Sequence, residues 1–434
     1  SVPEWAHVLP DHKFFTRKRL IGAGITILLL VLVAWVNYPF LPNPIILIFN
    51  RPSTDLSSTS AAGQWSMNGG TLDQTRTIAP SGLPPAGEPG WSVDAGLPTQ
   101  SAPIVADGVI YQGSHFKFMA LEAATGDILW ELPTTGPVHA SAAVAGDLVY
   151  VSLINRRVWA LDRRTGDLRW EFEAEDAIIA SPVVANGIVY FGSWDGNLYA
   201  RDAATGDKIW TYETAGRVSH HIALDGGVLV VTDDAGQMHT LNARTGQNRL
   251  VYRTTRSPSS ASVATNDTVY FPSDGSIFAI DSRVKEIPWQ FQFKAVWAQL
   301  WLWQVPGVPP PKGQQGGLWR FSPEGSDSSI ISAPAISQGV FYVGDLQGSF
   351  YAQTAQTRDD IWRIQTPGRI YASPVVVGDR IYFGTDDGTL YALNRADGSI
   401  LWQHSLGAPI KLPPAYAGDR IYLRTSDGDL HMVK

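Results

Sequence analysis

A tryptophan returns at a nearly fixed interval along most of this chain. It stands at Trp91, Trp130, Trp170, Trp210, Trp289, Trp362 and Trp402, with Leu250 filling the step where the ring is missing. The interval is 39 or 40 residues, except for 73 between Trp289 and Trp362. Each copy has one internal plan. From Ser101 to Trp130, four short runs (SAPIVA, VIYQGS, FKFMALEA, DILWEL) are separated by Asp107-Gly108, by a loop at His115-Phe116, and by Ala124-Thr125-Gly126. Apolar or alternating runs bounded by turn residues read as a meander of four antiparallel strands. One such sheet cannot bury both faces alone, so the copies must stack. A period near 40 with four strands per unit predicts an all-β, eight-bladed propeller, with blades ending at slots 91, 130, 170, 210, 250, 289, 362 and 402.

The two ends of the repeat array complement each other. Trp91-Ser92-Val93 looks like a fourth strand without its first three, and Lys411–Lys434 supplies three strands without a fourth. The Trp91 strand is expected to complete the last blade within a propeller spanning 91–434, removing free sheet edges. Composition fits: 16 Trp, 15 Tyr and 41 Gly suit a turn-rich repeat protein. The net charge of −7, with no basic cluster in the repeats, argues against a nucleic-acid partner. The absence of Cys excludes disulfides, thiolate metal sites, c-type haem attachment, thiol nucleophiles and a lipoprotein anchor.

Ahead of the propeller, residues 1–19 are polar and end in Arg17-Lys18-Arg19. An uncharged run, Leu20 to Val36, follows, with Trp35 and Tyr38 at its far end. A bilayer core needs about 20 apolar residues, and basic residues favour the cytoplasmic side. The segment 20–38 is therefore expected to be a single-pass signal anchor, with 1–19 cytoplasmic and the rest periplasmic or extracellular. A cleaved signal peptide is the competing reading, but no A-x-A site follows the run. Residues 39–90 read as an extracytoplasmic linker rich in Ser, Thr, Gly and Pro. Within it lies a short apolar patch including Ile45, Ile46 and Phe49, suited to the membrane surface or a partner. Trp65 is expected to pack against the domain it leads into. After Trp289 an insertion, about 293–330, carries Trp297, Trp301, Trp303 and Trp319. Large amphipathic rings favour protein interfaces and membrane boundaries, so these four are candidate contacts for a partner, the membrane or their own blade.

The repeat S-x-P-V-V-A-x-G-x-V-Y-x-G-S-x-D-G-x-L-Y-A-L-D-A-x-T-G-x-x-x-W, clearest in Ser181–Trp210 and Ser373–Trp402, resembles the pyrroloquinoline-quinone-like propeller repeat. The resemblance runs from about Trp65 to the C-terminus. It implies that the recurrent Trp rings wedge between blades. The family includes quinoprotein alcohol dehydrogenases and non-catalytic scaffolds such as the outer-membrane assembly lipoprotein. Its dehydrogenases carry an adjacent-cysteine disulfide and a calcium held by Glu, Asn and Asp beside an Asp base.

The residues here depart from that pattern. The positions read as facing the axis, Ser101, Ala140, Ala180, Ser260, Ser332 and Ala372, are small, and no acidic cluster accompanies them. No catalytic residue, cofactor or metal site is expected. His220-His221 is the polar departure, with His115 and His139 near the same end. Neighbours on a strand point to opposite faces, so the pair reads as a solvated mouth pair rather than a chelate. The expected function is a non-enzymatic scaffold or accessory subunit of a membrane complex, an electron-transfer assembly being one setting. A degenerate quinoprotein dehydrogenase and an envelope assembly factor are the alternatives.

Overall fold

The recurrent Trp-to-Gly spacing folds as the repeat predicts. The computed structural model describes residues 17–37, 42–58, 64–286, 290–311, 314–323 and 329–434. Eight antiparallel sheets follow one another, each contributing a three-residue inner strand such as Ile104–Ala106 or Val183–Ala185. Inner strands of neighbouring blades lie side by side around the axis, as Ala143–Ala145 beside Val183–Ala185 and Ile104–Ala106 beside Ala415–Ala417. Inner strands are mostly buried throughout, whereas outer strands such as Ile128–Pro133 alternate in exposure, as a half-covered sheet edge should. Pro89–Asp94 pairs antiparallel with Asp429–Val433 and completes blade 8, so the two chain segments close the wheel as expected.

The Trp ring explains the period. Each indole reaches the next blade and donates its Nε1–H to a carbonyl in that blade's turn between strands three and four. The bonds are Trp91 to Ala123 at 3.2 Å, Trp130 to Arg163 at 3.2 Å, Trp170 to Ala203 and Trp210 to Ala243 at 3.0 Å, and Trp362 to Arg395 at 3.0 Å. The Gly of that turn lies flat on the ring. At Gly246 (φ +70°) a Cβ would come within 2.6 Å of the Trp210 indole, so the Thr-Gly turn and the Trp are one docking device. Trp402 uses Pro85 in the same way, 2.9 Å from its oxygen, which stitches blade 7 to the segment leading into the closing strand.

Two expectations are corrected. The fourth strand of blade 5 is Gly317–Phe321, with Trp319 opposite Ala279 and its Nε1–H 3.0 Å from Ala355 O. Trp319 therefore fills the docking slot assigned to Trp289, and the insertion falls between the third and fourth strands rather than after the fourth. Trp289 itself lies outside the described residues. The second correction concerns 39–90. Its stretch 64–78 is a strap laid across the inner strands: Trp65 bridges Val105, and Ser66 O takes the Val144 N–H. Leu72, Asp73, Thr75 and Arg76 oxygens then take those of Leu224, Ala264, Ile336 and Val376, and Thr77–Ile78 runs parallel to Val375–Val377. Earlier in the same segment, Ser58 N–H reaches Val184 O. Open strand edges around a channel need partners, and this segment supplies them. Trp65 and Met67 are fully buried, so Trp65 does pack as expected.

Among the described residues three helices precede or interrupt the wheel: α1 (Arg17–Asn37), α2 (Pro44–Phe49) and α3 (Gln290–Leu302). The run expected to span a membrane is helical in α1, and its described side chains, including Ile25, Leu28 and Leu30, are exposed. Among the described residues no helix is long and apolar enough to cross a membrane. Asn43 caps α2, its side chain accepting from Ile45 N–H, while its own N–H donates to Gln247 Oε1 at 2.7 Å. Asn50 Nδ2 donates to Ile209 O at 2.7 Å, and Ser53 bonds Asp202 through its amide and hydroxyl. These partners lie in or beside turns joining third and fourth strands, and α3 also interrupts such a turn. α2 and α3 thus occupy one face of the wheel, and α1 touches α2.

Candidate functional site

Along the axis, the strap and the approaches to the first strands enclose a cavity of about 710 Å³. Asn68 and Arg76 of the strap form its inner end. Its mouth is on the face of the joints between successive blades, opposite the helices. One residue per blade forms the rim: Gln100, His139, Ile179, Ser219, Ser259, Ile331, Tyr371 and Lys411. The small residues read as axial sit one place further along the chain. Ser101, Ala140, Ala180, Ser332 and Ala372 are buried between blades, and Ser260 reaches the wall. The larger rim set was legible as the same interval of about 40 residues, one residue upstream.

The next position is a hydrogen-bonded belt. Ala102 N–H donates to Ser141 Oγ at 3.0 Å, Ser141 N–H to Ser181 Oγ at 2.9 Å, and Ala333 N–H to Ser373 Oγ at 3.1 Å. In blade 4 the belt residue is His221, whose Nδ1 accepts from Ser181 N–H at 3.1 Å. That bond fixes the neutral tautomer with its proton on Nε2. His220 and His221 precede the strand Ala223–Asp225 rather than opening it, and both line the cavity. The expected opposite-facing pair is corrected to two half-buried rings on one wall.

Burial pulls His220 down to about 4. Burial, helped by the Arg76 and His220 charges, pulls His221 down to about 3. His139 is lowered by burial and then by His115. An unfolded histidine titrates near 6.5. Above that pH both folded and unfolded chains hold these rings neutral, and stability is flat. As pH falls from about 6.5 towards 3–4, the unfolded chain takes up protons that the folded chain refuses, so stability falls. His221→Ser should restore the serine belt and flatten this acid limb. We expect native-state stability at neutral pH within about 1 kcal/mol, and a loss between pH 7 and 4 smaller by on the order of 2 kcal/mol. Denaturant titrations at both pH values check this.

Arg76 is 2% exposed. Its Nη2 donates to Asn68 Oδ1 at 3.3 Å, whereas Nε and Nη1 meet no acceptor among the described residues. Burial lowers its pKa to about 10, which leaves it charged at neutral pH. The cavity wall contains Lys411 and Arg424 but no Asp or Glu, and the chain has no Cys. The lining therefore offers no carboxylate ligand set for a calcium and no acidic base, and the calcium of the dehydrogenase branch does not fit these residues. Elsewhere, Asp427, Asp429 and His431 stand close enough to share an ion. They belong to the hairpin of blade 8, where Thr425 Oγ1 lies 2.6 Å from Asp427 Oδ1 and 2.9 Å from His431 Nε2. Blade 4 builds the same brace from Asp233 and His239, so the cluster reads as turn structure.

The sequence-predicted contact residues divide. Ile45 and Phe49 of α2 are exposed, while Ile46 turns inward against the core of blades 3 and 4. On α3 and just beyond, Phe293, Trp297, Trp301, Leu302 and Trp303 are exposed, and Trp297 Nε1–H donates to Pro309 O at 2.8 Å. Trp319 is a docking ring, as described above.

Among solved structures, BamB from Moraxella catarrhalis aligns with a TM-score of 0.60 at 17% identity, covering 79% of this chain and 96% of that one. A europium-containing methanol dehydrogenase aligns with a TM-score of 0.62 at 14% identity, covering 84% and 89% respectively. Quinohemoprotein alcohol dehydrogenase from Comamonas testosteroni reaches 0.65 at 14% identity, covering 85% and 80%. At these identities the likeness is one of fold. None of the curated proteins matches the sequence. The family model described as outer membrane protein assembly factor BamB matches residues 82–291 and 305–434, and the chain belongs to that family of pyrroloquinoline-quinone-like propellers.

Proposed function

We propose that this chain is a non-catalytic scaffold held at the cytoplasmic membrane by its N-terminal apolar segment, residues 20–38. Its N-terminus is cytoplasmic, and the wheel lies on the periplasmic or extracellular side, holding other subunits of a membrane protein complex. The observation that carries this reading is the sidedness of the wheel. The exposed edge of α2 and the aromatic α3 sit on one face, and the cavity opens on the other. Residues 290–311 carry a single charge, Lys294, and α3 exposes five large apolar side chains, Phe293, Val296, Trp297, Trp301 and Leu302. An apolar helix with Trp at its end, free of carboxylates, suits the headgroup boundary. The relative named for outer membrane protein assembly supports a role exercised through protein contacts. The wall's lack of carboxylates supports the absence of catalysis.

Vesicle flotation tests the orientation. With α1 removed, the propeller should still bind vesicles of phosphatidylcholine with phosphatidylglycerol, and Trp301→Ser with Trp303→Ser should weaken binding at least tenfold. Burying one large ring is worth about 1.5 kcal/mol or more, and about 1.4 kcal/mol is a factor of ten. Unchanged flotation of the double variant would remove the membrane-facing assignment. Isolation of the intact chain in mild detergent tests the scaffold: stoichiometric companion chains are expected, and a lone monomer would count against it.

A further inference from the structure

Donors outnumber acceptors at the inner end of the cavity. Asn68 stands between Arg76 and His221, its Oδ1 taking a proton from Arg76 and its Nδ2 lying 3.2 Å from His221 Nε2 and 3.3 Å from Ser141 Oγ. His221 Nδ1 is committed to Ser181 N–H, so its Nε2 is a donor, and it faces another donor. Turning the Asn68 amide over would satisfy His221 but take from Arg76 its one acceptor. Either orientation leaves protons without a lone pair. Arg76 adds two further nitrogens in the same condition. A buried, unmatched guanidinium is costly for a fold to keep, and no carboxylate lies on the wall to offset it. At the mouth, Lys411 lies over the Tyr371 ring with Nζ 5.5 Å from its centroid, a second cation on the way in.

We propose that the cavity is a binding site for a small molecule bearing an oxyanion, a carboxylate or a phosphate. The oxyanion seats against Arg76 and Asn68 and enters past Lys411. The anion supplies the acceptors that the strap lacks, and a cavity of about 710 Å³ leaves room for an organic body of ligand size. The site is built by the strap, so a propeller without this segment would lack it. It opens away from the helical face and does not depend on the scaffold reading.

Calorimetry and thermal unfolding of the intact chain test the proposal, using inorganic phosphate and citrate at millimolar concentration against sodium chloride at matched ionic strength. Binding and a rise in Tm of several degrees are expected for at least one of the two, and which one responds separates phosphate from carboxylate ligands. Arg76→Met should abolish that rise while leaving the anion-free protein as stable as the parent or more so, because an unmatched charge is gone. Lys411→Gln, which leaves the strap intact, should weaken binding several-fold. No response to either anion beyond the salt control would overturn the proposal. So would an undiminished response in Arg76→Met or, should that variant not fold, an undiminished affinity in Lys411→Gln.

Discussion

Arg424→Ala is expected to be the most damaging single substitution in the wheel, lowering stability by about 4–5 kcal/mol. Arg424 is 1% exposed and sits where blade 8 meets blade 1. Its Nη2 donates to Gly96 O at 2.8 Å and Leu97 O at 2.9 Å, its Nη1 to Gly113 O at 2.7 Å and Thr99 Oγ1 at 3.2 Å, and its Nε to Gly428 O at 3.3 Å. Alanine would leave this set of acceptors buried without donors and open a cavity among them. Arg424→Lys should recover only part of the loss, since an ammonium has three donors and no planar fork. The urea midpoint of each variant gives the measurement. A cost near zero for alanine would mean that the guanidinium is incidental to closure.

Trp65→Ala is the second. In a flexible leader this change would cost nothing measurable. In the strap, Trp65 is 2% exposed within the core joining blades 1, 2, 7 and 8, and its backbone exchanges bonds with Val105 at 2.7 and 2.8 Å. Gly70 lies against the face of its ring, where a Cβ would fall 2.5 Å from an indole carbon. Removing a packed indole costs about 3–5 kcal/mol. We expect a loss in that range, with earlier proteolysis of the strap as a second readout. Equal stability of parent and variant would return the segment to the status of a tether.

The wheel was legible because its docking device is written locally: a Trp in the outer strand, and a Thr-Gly turn that rests on the ring one copy earlier. The closing strand was legible for the same reason, since Trp91 keeps the spacing. The interval misled once. Trp289 stands at the right distance after Leu250, but an insertion within blade 5 moved the docking ring to Trp319. The alternating run Gly317-Leu318-Trp319-Arg320-Phe321 was the available signal. The strap escaped notice because its Ser, Thr, Gly and Pro content is that of any loop, and its bonds are made by backbone, which sequence pattern does not disclose. Arg424 left a trace. In copies such as Val340–Gly344 and Arg380–Gly384 a glycine ends the second strand, because an Ile of the next blade packs where its Cβ would be. In the last copy the glycine is Arg424, and the residue facing it is Thr99. Trp65-x-Met67 and Arg76-Thr77 resemble the entry segment of such propellers, but nothing in that polar stretch says that Arg76 will be buried.

The seal at Arg424 also sets a timetable. Its bond to Leu97 joins residues 327 apart in the chain, so nothing shorter than nearly the full polypeptide can complete the circle. While the protein is being made, seven blades must wait with an unpaired edge at each side, a long interval of exposure to other strands. Because Arg424, Thr425 and Ser426 also form part of the axial wall, the cavity comes into being at the same late moment. A ligand held there would favour the finished ring over every earlier form of the chain.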